Sequence, residues 1–88
     1  MKSYEEKSEM IKALANPARM EIVVRLEKEG CNVTTIQKNL GLPQSTISHH
    51  LKVLKNAGLI VSKREGTKIC YRVKALEVRK IIDILDKV

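Results

Sequence analysis

The chain is short, basic and without long apolar runs. Its 88 residues carry a net charge of +7, with 43% apolar and 31% charged residues, which is typical of one folded domain over residues 1–88. No stretch approaches the roughly 18 apolar residues of a membrane span, and the opening MKSYEEKSEM lacks a secretory segment, so we expect a cytoplasmic protein with no membrane partner. Because Trp and Phe are absent and Tyr occurs twice, the composition argues against stacking of single-stranded bases as the binding mode.

The positive charge is concentrated in one third of the chain. Residues 43–72 contain six basic side chains and a single acid, Glu65, so they carry +5 of the net +7. Such a concentration favours a surface that faces phosphates, since each cation that neutralises a phosphate releases a condensed counterion. The alternative is an ordinary solvated basic face, and the helix pattern favours the first interpretation.

The first part of the chain predicts three helices. Asn16 is a favoured N-cap and Pro17 suits the first helical position, so a second helix begins there and ends before Gly30. The segment Cys31-Asn32-Val33 indicates a short extended connector. We expect helices over residues 4–15, over residues 17–28, and from Thr34 or Thr35 to Leu40.

A fourth helix is predicted over residues 43–56, and it is amphipathic. Ile47, Leu51 and Leu54 stand at i, i+4 and i+7 and form one apolar stripe. A helix of this kind packs on a core through one side and presents the other side to solvent. The other side is polar and carries Gln44, Ser45, Ser48, His49, Lys52 and Lys55.

A β-hairpin and a last helix complete the chain. Strands are predicted over residues 59–64 and 67–73 around a Glu65-Gly66 turn. The last helix, over about residues 75–87, has an apolar stripe of Val78, Ile81, Ile82 and Leu85. The element order predicts a mainly α fold with a small β-hairpin wing, which is a winged helix-turn-helix with an additional helix at each terminus.

Three segments carry a family resemblance: LANPARMEIVVRL, LGLPQSTISHHLKVLKNAGLI and VSKREGTKICYRV. Through them the chain, from Leu14 to Val73, resembles the ArsR family of winged-helix bacterial repressors. One departure is Pro43, where the family commonly has a Ser cap. The resemblance implies a homodimer that binds an operator and leaves it when a signal is sensed. It also implies a dimer interface formed by the first and last helices, to which we assign Met10, Ile11, Leu14, Val78, Ile81, Ile82 and Leu85.

The polar side of the fourth helix suits the major groove of duplex DNA. A recognition helix presents its amino-terminal residues to base edges, where Ser, Gln and His supply donors and acceptors. Gln44 can form a bidentate pair with adenine, and Ser45, Ser48 and His49 extend the same side. Phosphates or the adjacent minor groove are the predicted targets of Lys52, Lys55, Lys63, Arg64 and Lys68.

We predict no metal site, no cofactor and no catalytic site. In the resemblance, the family's metal box C-V-C-D aligns with residues 32–35, where neither cysteine is present. His49 and His50 point about 100° apart on a helix, which is poor geometry for one ion. We interpret His50 as a hydrogen-bonded packing residue. We find neither a nucleophile–base set nor a Gly-rich phosphate loop, so the sequence gives no indication of an enzyme.

The two cysteines leave two interpretations open. Cys31 and Cys70 are either small, half-buried packing residues or a reversible intrachain disulfide that lowers DNA affinity. In winged-helix domains the segment before the third helix often pairs with the second wing strand, which would place residues 31–33 beside residues 69–71. Family members that sense oxidants through a cysteine pair commonly place those cysteines in helices.

The leading interpretation is a homodimeric transcriptional repressor that binds a double-stranded DNA operator in a sequence-specific way. A signal, such as thiol oxidation, is expected to release the repressor from the operator. One alternative is a repressor without a sensor, controlled by its abundance. Another is a winged-helix module that binds protein. The intact polar side of the fourth helix argues against that module, because a surface that had lost DNA binding would tolerate acids there.

Overall fold

The computed structural model describes residues 2–29, 33–74 and 76–88. In these ranges the predicted element order is confirmed, and each predicted boundary agrees to within one or two residues. The elements are α1 (Tyr4–Leu14), α2 (Pro17–Glu29), α3 (Val33–Leu40), α4 (Gln44–Asn56), β1 (Ile60–Glu65), β2 (Lys68–Val73) and α5 (Leu76–Asp86).

The first two helices begin at side-chain caps. The Ser3 hydroxyl accepts a hydrogen bond from the Glu6 backbone N–H at 3.1 Å, and the Glu6 carboxylate accepts one from the Ser3 backbone N–H at 3.2 Å. These two bonds form a capping box. Asn16 Oδ1 accepts a hydrogen bond from the Arg19 backbone N–H at 3.1 Å, which confirms Asn16 as the cap of α2. The Asn16 cap therefore fixes the start of α2 and with it the bend after α1.

The second helix, α2, is the centre of the core. It contacts α1, α3, α4, α5 and β2. Ile22 and Val23 are both 0% exposed, and Leu26 continues the same buried stripe one turn later. Because α2 contacts all these elements, a change in its position is transmitted to each of them.

The fourth helix packs through the predicted stripe of Ile47, Leu51 and Leu54, all of which are buried. It begins one residue later than predicted, since Pro43 is the N-cap and not the first helical residue. The Pro43 carbonyl accepts a hydrogen bond from the Ile47 N–H at 3.1 Å. The fixed φ of proline thus starts the helix where no side-chain cap is present.

The hairpin joins β1 and β2 through a two-residue turn. Ile60 pairs with Val73 at its base, and Glu65 pairs with Lys68 at its tip. Gly66 has φ +64° and the next residue, Thr67, has a negative φ, which indicates a type II′ turn. This turn matches the twist of the two strands and fixes their register.

The extended connector predicted for residues 31–33 is wrong at Val33. This residue is the first of α3, and its half-buried side chain packs against the core. Helix α3 therefore starts earlier than the two threonines suggested. The rest of the connector, Cys31 and Asn32, lies outside the described residues. In the described part of the chain the sheet consists of β1 and β2 alone.

The last helix, α5, is held on α2 by apolar packing and by charge. Val78 and Ile82 are buried in the core of the chain. Arg79 Nε lies 3.1 Å from a Glu27 carboxylate oxygen, and Lys28 forms an ion pair with Asp86. Half of the α5 stripe therefore faces inward, towards α2.

A buried histidine on α4 contacts the start of α2. His50 is 9% exposed, and its Nδ1 lies 3.5 Å from Arg19 Nη1. The prediction of a hydrogen-bonded packing residue is confirmed. Burial lowers the pKa of His50 from its ordinary value of 6.5, and the positive charges of Arg19 and His49 lower it further. The neutral imidazole is therefore the form that the fold favours.

The stability of the fold is expected to decrease on acidification. Between the lowered pKa of folded His50 and the ordinary value of 6.5, the unfolded chain binds more protons than the folded chain. The free energy of unfolding is therefore fully retained above pH 6.5 and falls as the pH falls through the folded pKa. Urea unfolding at a series of pH values measures this loss.

The matched comparison is between His50→Gln and His49→Gln. His50→Gln should reduce the pH dependence of the unfolding free energy, because glutamine does not titrate in this range. His49→Gln, at the exposed neighbour, should keep most of it. Equal pH dependence in the wild type and His50→Gln would contradict the assignment.

Candidate DNA-binding surface

The outer side of α4 is a continuous polar surface. Its exposed residues lie within an arc of about 140° and along about 16 Å of helix. The hydroxyl, amide and imidazole groups lie towards the amino end, whereas the ammonium groups lie towards the carboxyl end. No residue of α4 is acidic. All six predicted side chains belong to this exposed side: Gln44, Ser45, Ser48, His49, Lys52 and Lys55.

The hairpin adds four exposed cations, Lys63, Arg64, Lys68 and Arg72, of which the sequence had assigned the first three to phosphates or the minor groove. Neighbouring residues of a strand point to opposite faces, so Lys63 and Arg64 flank the hairpin on its two sides. Lys68 is paired with Glu65 in the strand register. An acid directly opposite a lysine offsets part of its charge, so Lys63 and Arg64 contribute more to the positive field of the hairpin than Lys68 does.

Lys55 connects α4 with the hairpin. Its Nζ donates a hydrogen bond to the Ser62 hydroxyl of β1 at 2.7 Å. An ammonium group has three N–H donors, so this bond leaves two of them for a phosphate oxygen. The side chain that the sequence assigned to a phosphate thus also positions β1 beside the carboxyl end of α4.

Cys70 lies on β2 and is buried, with 4% exposure. It is disulfide-bonded and stands opposite Lys63 in the register. Its neighbour Tyr71 packs against the core from the other face of the strand. Cys31 lies outside the described residues, and so does the predicted contact between the two cysteines.

The residues assigned to a dimer interface fall into two groups. Leu14, Val78 and Ile82 are buried in the core of their own protomer, and Met10 packs partly against that core. The reason is that the stripe on each terminal helix is wide enough to face both its own core and the outside. The exposed large apolar residues of α1 and α5 are Tyr4, Ile11, Leu76, Ile81, Ile84 and Leu85. Of these, Tyr4, Leu76 and Ile84 were missed from the sequence.

Within residues 2–29, 33–74 and 76–88, no group of three or more His, Cys, Asp or Glu side chains is placed to hold a metal ion. No helix in the same ranges is both long enough and apolar enough to cross a bilayer.

Arg19, which contacts the buried side of α4, was not predicted from the sequence. Arg19 contacts His50 across a separation of 31 residues. Local periodicity reports contacts within one helix, so no pattern around Arg19 indicated this partner. A buried imidazole that needs a hydrogen-bond partner was the one available signal, and it did not identify which residue would supply it.

Comparison with known proteins agrees with this geometry. The profile of the family described as bacterial regulatory protein, arsR family, matches residues 16–62. An uncharacterized HTH-type transcriptional regulator from Methanocaldococcus jannaschii is 39% identical over 88 residues, covering 99% of each chain. The transcriptional repressor PagR of Bacillus anthracis is 39% identical over 88 residues, covering 98% of this chain and 87% of PagR.

Solved structures give the same result for the fold. The crystal structure of PagR superposes with a TM-score of 0.84 over 93% of this chain and 94% of PagR, at 37% identity. A homodimeric winged helix-turn-helix DNA-binding domain from Mycobacterium bovis superposes with a TM-score of 0.84 at 30% identity, over 96% of this chain and 78% of that domain. The chain therefore belongs to the ArsR family, whose members are DNA-binding transcriptional regulators and not enzymes.

Proposed function

We propose that the chain is a homodimeric repressor that binds a specific duplex operator through the outer side of α4 and the basic hairpin. The observation that carries the proposal is the continuous, acid-free polar side of α4. A helix of this kind fits the major groove, which is about 12 Å wide and displays a distinct donor and acceptor pattern for each base pair. The similarity to PagR, itself a repressor, supports the direction of regulation.

The surface divides into a part that reads bases and a part that binds phosphates. Gln44, Ser45, Ser48 and His49 lie in the first half of α4, where a recognition helix meets base edges. The cations lie at the end of α4 and along the hairpin, where contacts with phosphates position the protein without reading sequence. The phosphate group comprises Lys52, Lys55, Lys63, Arg64 and Lys68.

The second copy of the chain is proposed to cover the exposed apolar residues of α1 and α5. Ile81, Ile84 and Leu85 lie next to each other on α5 at helical spacing, and Ile84 and Leu85 are 65% and 46% exposed. A cluster of exposed large apolar side chains on an 88-residue chain marks an interaction surface. The homodimeric state of the related domain from Mycobacterium bovis supports a copy of the same chain as the partner.

The signal that releases the operator is proposed to be oxidation of Cys31 and Cys70. Two thiols lose two protons and two electrons to hydrogen peroxide, the S–S bond forms, the O–O bond breaks, and two water molecules leave. Support comes from the disulfide-bonded state of Cys70 and from its position on the hairpin opposite Lys63. A crosslink at this position can move the cations of the hairpin away from their phosphates.

Binding to duplex DNA is expected to depend steeply on salt. A dimer that makes about 6–8 phosphate contacts should show a slope of about −5 to −7 in a plot of log affinity against log salt concentration. Fluorescence anisotropy with a duplex selected by the protein from a random pool measures this slope. A slope near zero would contradict a phosphate-binding surface.

Substitutions should separate base reading from phosphate binding. Ser48→Ala and His49→Ala should each weaken the selected duplex by about 1–3 kcal/mol and leave random duplex nearly unchanged. Lys63→Ala should weaken both duplexes similarly, because phosphates carry no sequence information. Lys80→Ala on α5 removes the same charge outside this surface and is the matched control. Equal losses on both duplexes for His49→Ala would remove His49 from base reading.

Dimer formation should depend on the exposed part of α5. Leu85→Asp should raise the dimer dissociation constant at least about 100-fold, because a two-fold interface would bury the new charge in both copies. Val61→Asp, an exposed apolar residue of the hairpin, is the matched control and should leave the dimer intact. Sedimentation equilibrium measures both. A wild-type monomer at micromolar concentration would contradict the proposed dimer.

Oxidation should lower operator affinity in the wild type alone. A bond that closes a loop of about 39 residues can bias the ensemble by about 4 kcal/mol on chain-entropy grounds. We expect operator affinity to fall about 100-fold after peroxide treatment, and to recover with reductant. Cys31→Ser and Cys70→Ser should each be insensitive to peroxide, and non-reducing electrophoresis should show no crosslinked dimer. Unchanged binding by the oxidised wild type would contradict the proposed release.

A further inference from the structure

The side chain of Arg19 joins three helices. Its Nε donates a hydrogen bond to the Ala13 carbonyl in the last turn of α1 at 2.7 Å. Its Nη1 lies 3.5 Å from His50 Nδ1 in the middle of α4. The Arg19 backbone is fixed by the Asn16 cap at the start of α2. One guanidinium therefore connects the end of α1 with the inner side of α4.

The contact with His50 requires a particular form of the imidazole. A guanidinium has five N–H donors and no acceptor, so Nδ1 of His50 has to be unprotonated to accept from it. The proton of the neutral ring then lies on Nε2. A second proton on Nδ1 would place two donors and two positive charges against each other.

The charged groups around this contact reinforce that requirement. The charges that act most strongly on the His50 imidazole are Arg19 on α2 and His49 on α4, and both are basic. From α1, Glu9 and Lys12 line the same groove as Arg19, but they pair with each other at 3.4 Å and are largely exposed. Acidification therefore converts the contact between Arg19 and His50 from attraction to repulsion.

The position of His50 on α4 gives this contact a consequence for the outer surface. Ser48 and His49 immediately precede it and lie on the exposed side of the same helix. Because helix backbones move as units, a displacement of His50 from Arg19 changes the position of that exposed side relative to α1. Helix α1 in turn carries part of the exposed apolar surface proposed to bind the second copy.

We infer that Arg19 is a positioning residue that holds α4 against α1 and α2 while His50 is neutral, so that acidification releases α4 and weakens DNA binding. The inference rests on the proposed operator-binding function. It adds a pH dependence of DNA affinity that originates on the buried side of α4 and requires no ligand on the exposed side.

The first test compares pH profiles of DNA affinity. Anisotropy with the selected duplex should show that the wild type loses about fivefold or more in affinity as the pH falls from 7.5 through the lowered pKa of His50, relative to His50→Gln over the same range. Both proteins keep His49, so the comparison isolates the contribution of His50. Parallel profiles would overturn the inference and leave the proposed function standing. A wild type that binds no duplex at pH 7.5 would overturn both.

A matched pair of arginine variants separates position from charge. Arg19→Gln and Arg25→Gln remove the same charge from α2, but Arg25 pairs with Glu21 and Glu29 and makes no described bond to α4. Arg19→Gln should weaken binding at pH 7.5 and flatten the pH profile, whereas Arg25→Gln should keep the wild-type profile. Equal flattening by both variants would show a general charge effect and overturn the inference.

A measurement on the wild-type protein covers the case in which a variant does not fold. Nitrogen-detected NMR of the histidine rings distinguishes which ring nitrogen carries the proton. At pH 7.5 the His50 ring should be protonated at Nε2 alone, and its Nδ1 should show the shift of a hydrogen-bonded acceptor. A ring protonated at Nδ1 would overturn the inference, because Arg19 could not then donate to it.

Discussion

The position of α4 depends on the burial of one face of α2. Ile22 and Val23 are fully removed from solvent, and this helix contacts each of the other four helices and β2. Burying a side chain of this size contributes about 1.5–3 kcal/mol, which is a large share of the net stability of a small domain. The elements that surround α2 therefore have one arrangement in which this face is covered. In that arrangement the apolar stripe of α4 faces inward and its polar side faces out.

In the proposed binding mode, affinity and sequence discrimination come from different parts of the surface. Cations at the end of α4 and on the hairpin provide a field that attracts any duplex, since every duplex carries the same phosphates. Discrimination requires hydrogen bonds to base edges, which the amide, hydroxyl and imidazole groups at the start of α4 can make. The bond from Lys55 to Ser62 couples the two parts, because it fixes the hairpin relative to α4. In the proposed homodimer, a second copy doubles both contributions and sets the spacing of the half-sites.

Local patterns in the sequence predicted the helices and strands. The features that the sequence did not predict depend on contacts between residues that are distant in the chain. Spacing of i, i+4 and i+7 identified both sides of α4, because that pattern depends on one helix alone. The capping box of Ser3 and Glu6 has the S-x-x-E spacing of that motif, but it was not predicted from the sequence. By contrast, the inward direction of Val78 and Ile82 depends on where α2 lies beside α5. The contact between Arg19 and His50 requires two helices to be packed before either residue has its partner.

The central claim is that α4 of each protomer occupies a major groove. Dimethyl sulfate methylates guanine N7, which lies in the major groove, so protection of this atom reports the groove that the helix fills. With the selected duplex, the account predicts two protected segments on one face of the DNA, separated by about one helical turn of 10–10.5 base pairs or a multiple of it. Ser48→Ala should weaken protection of both segments together. Tight binding without protection of any guanine N7 inside the bound sequence would contradict the account.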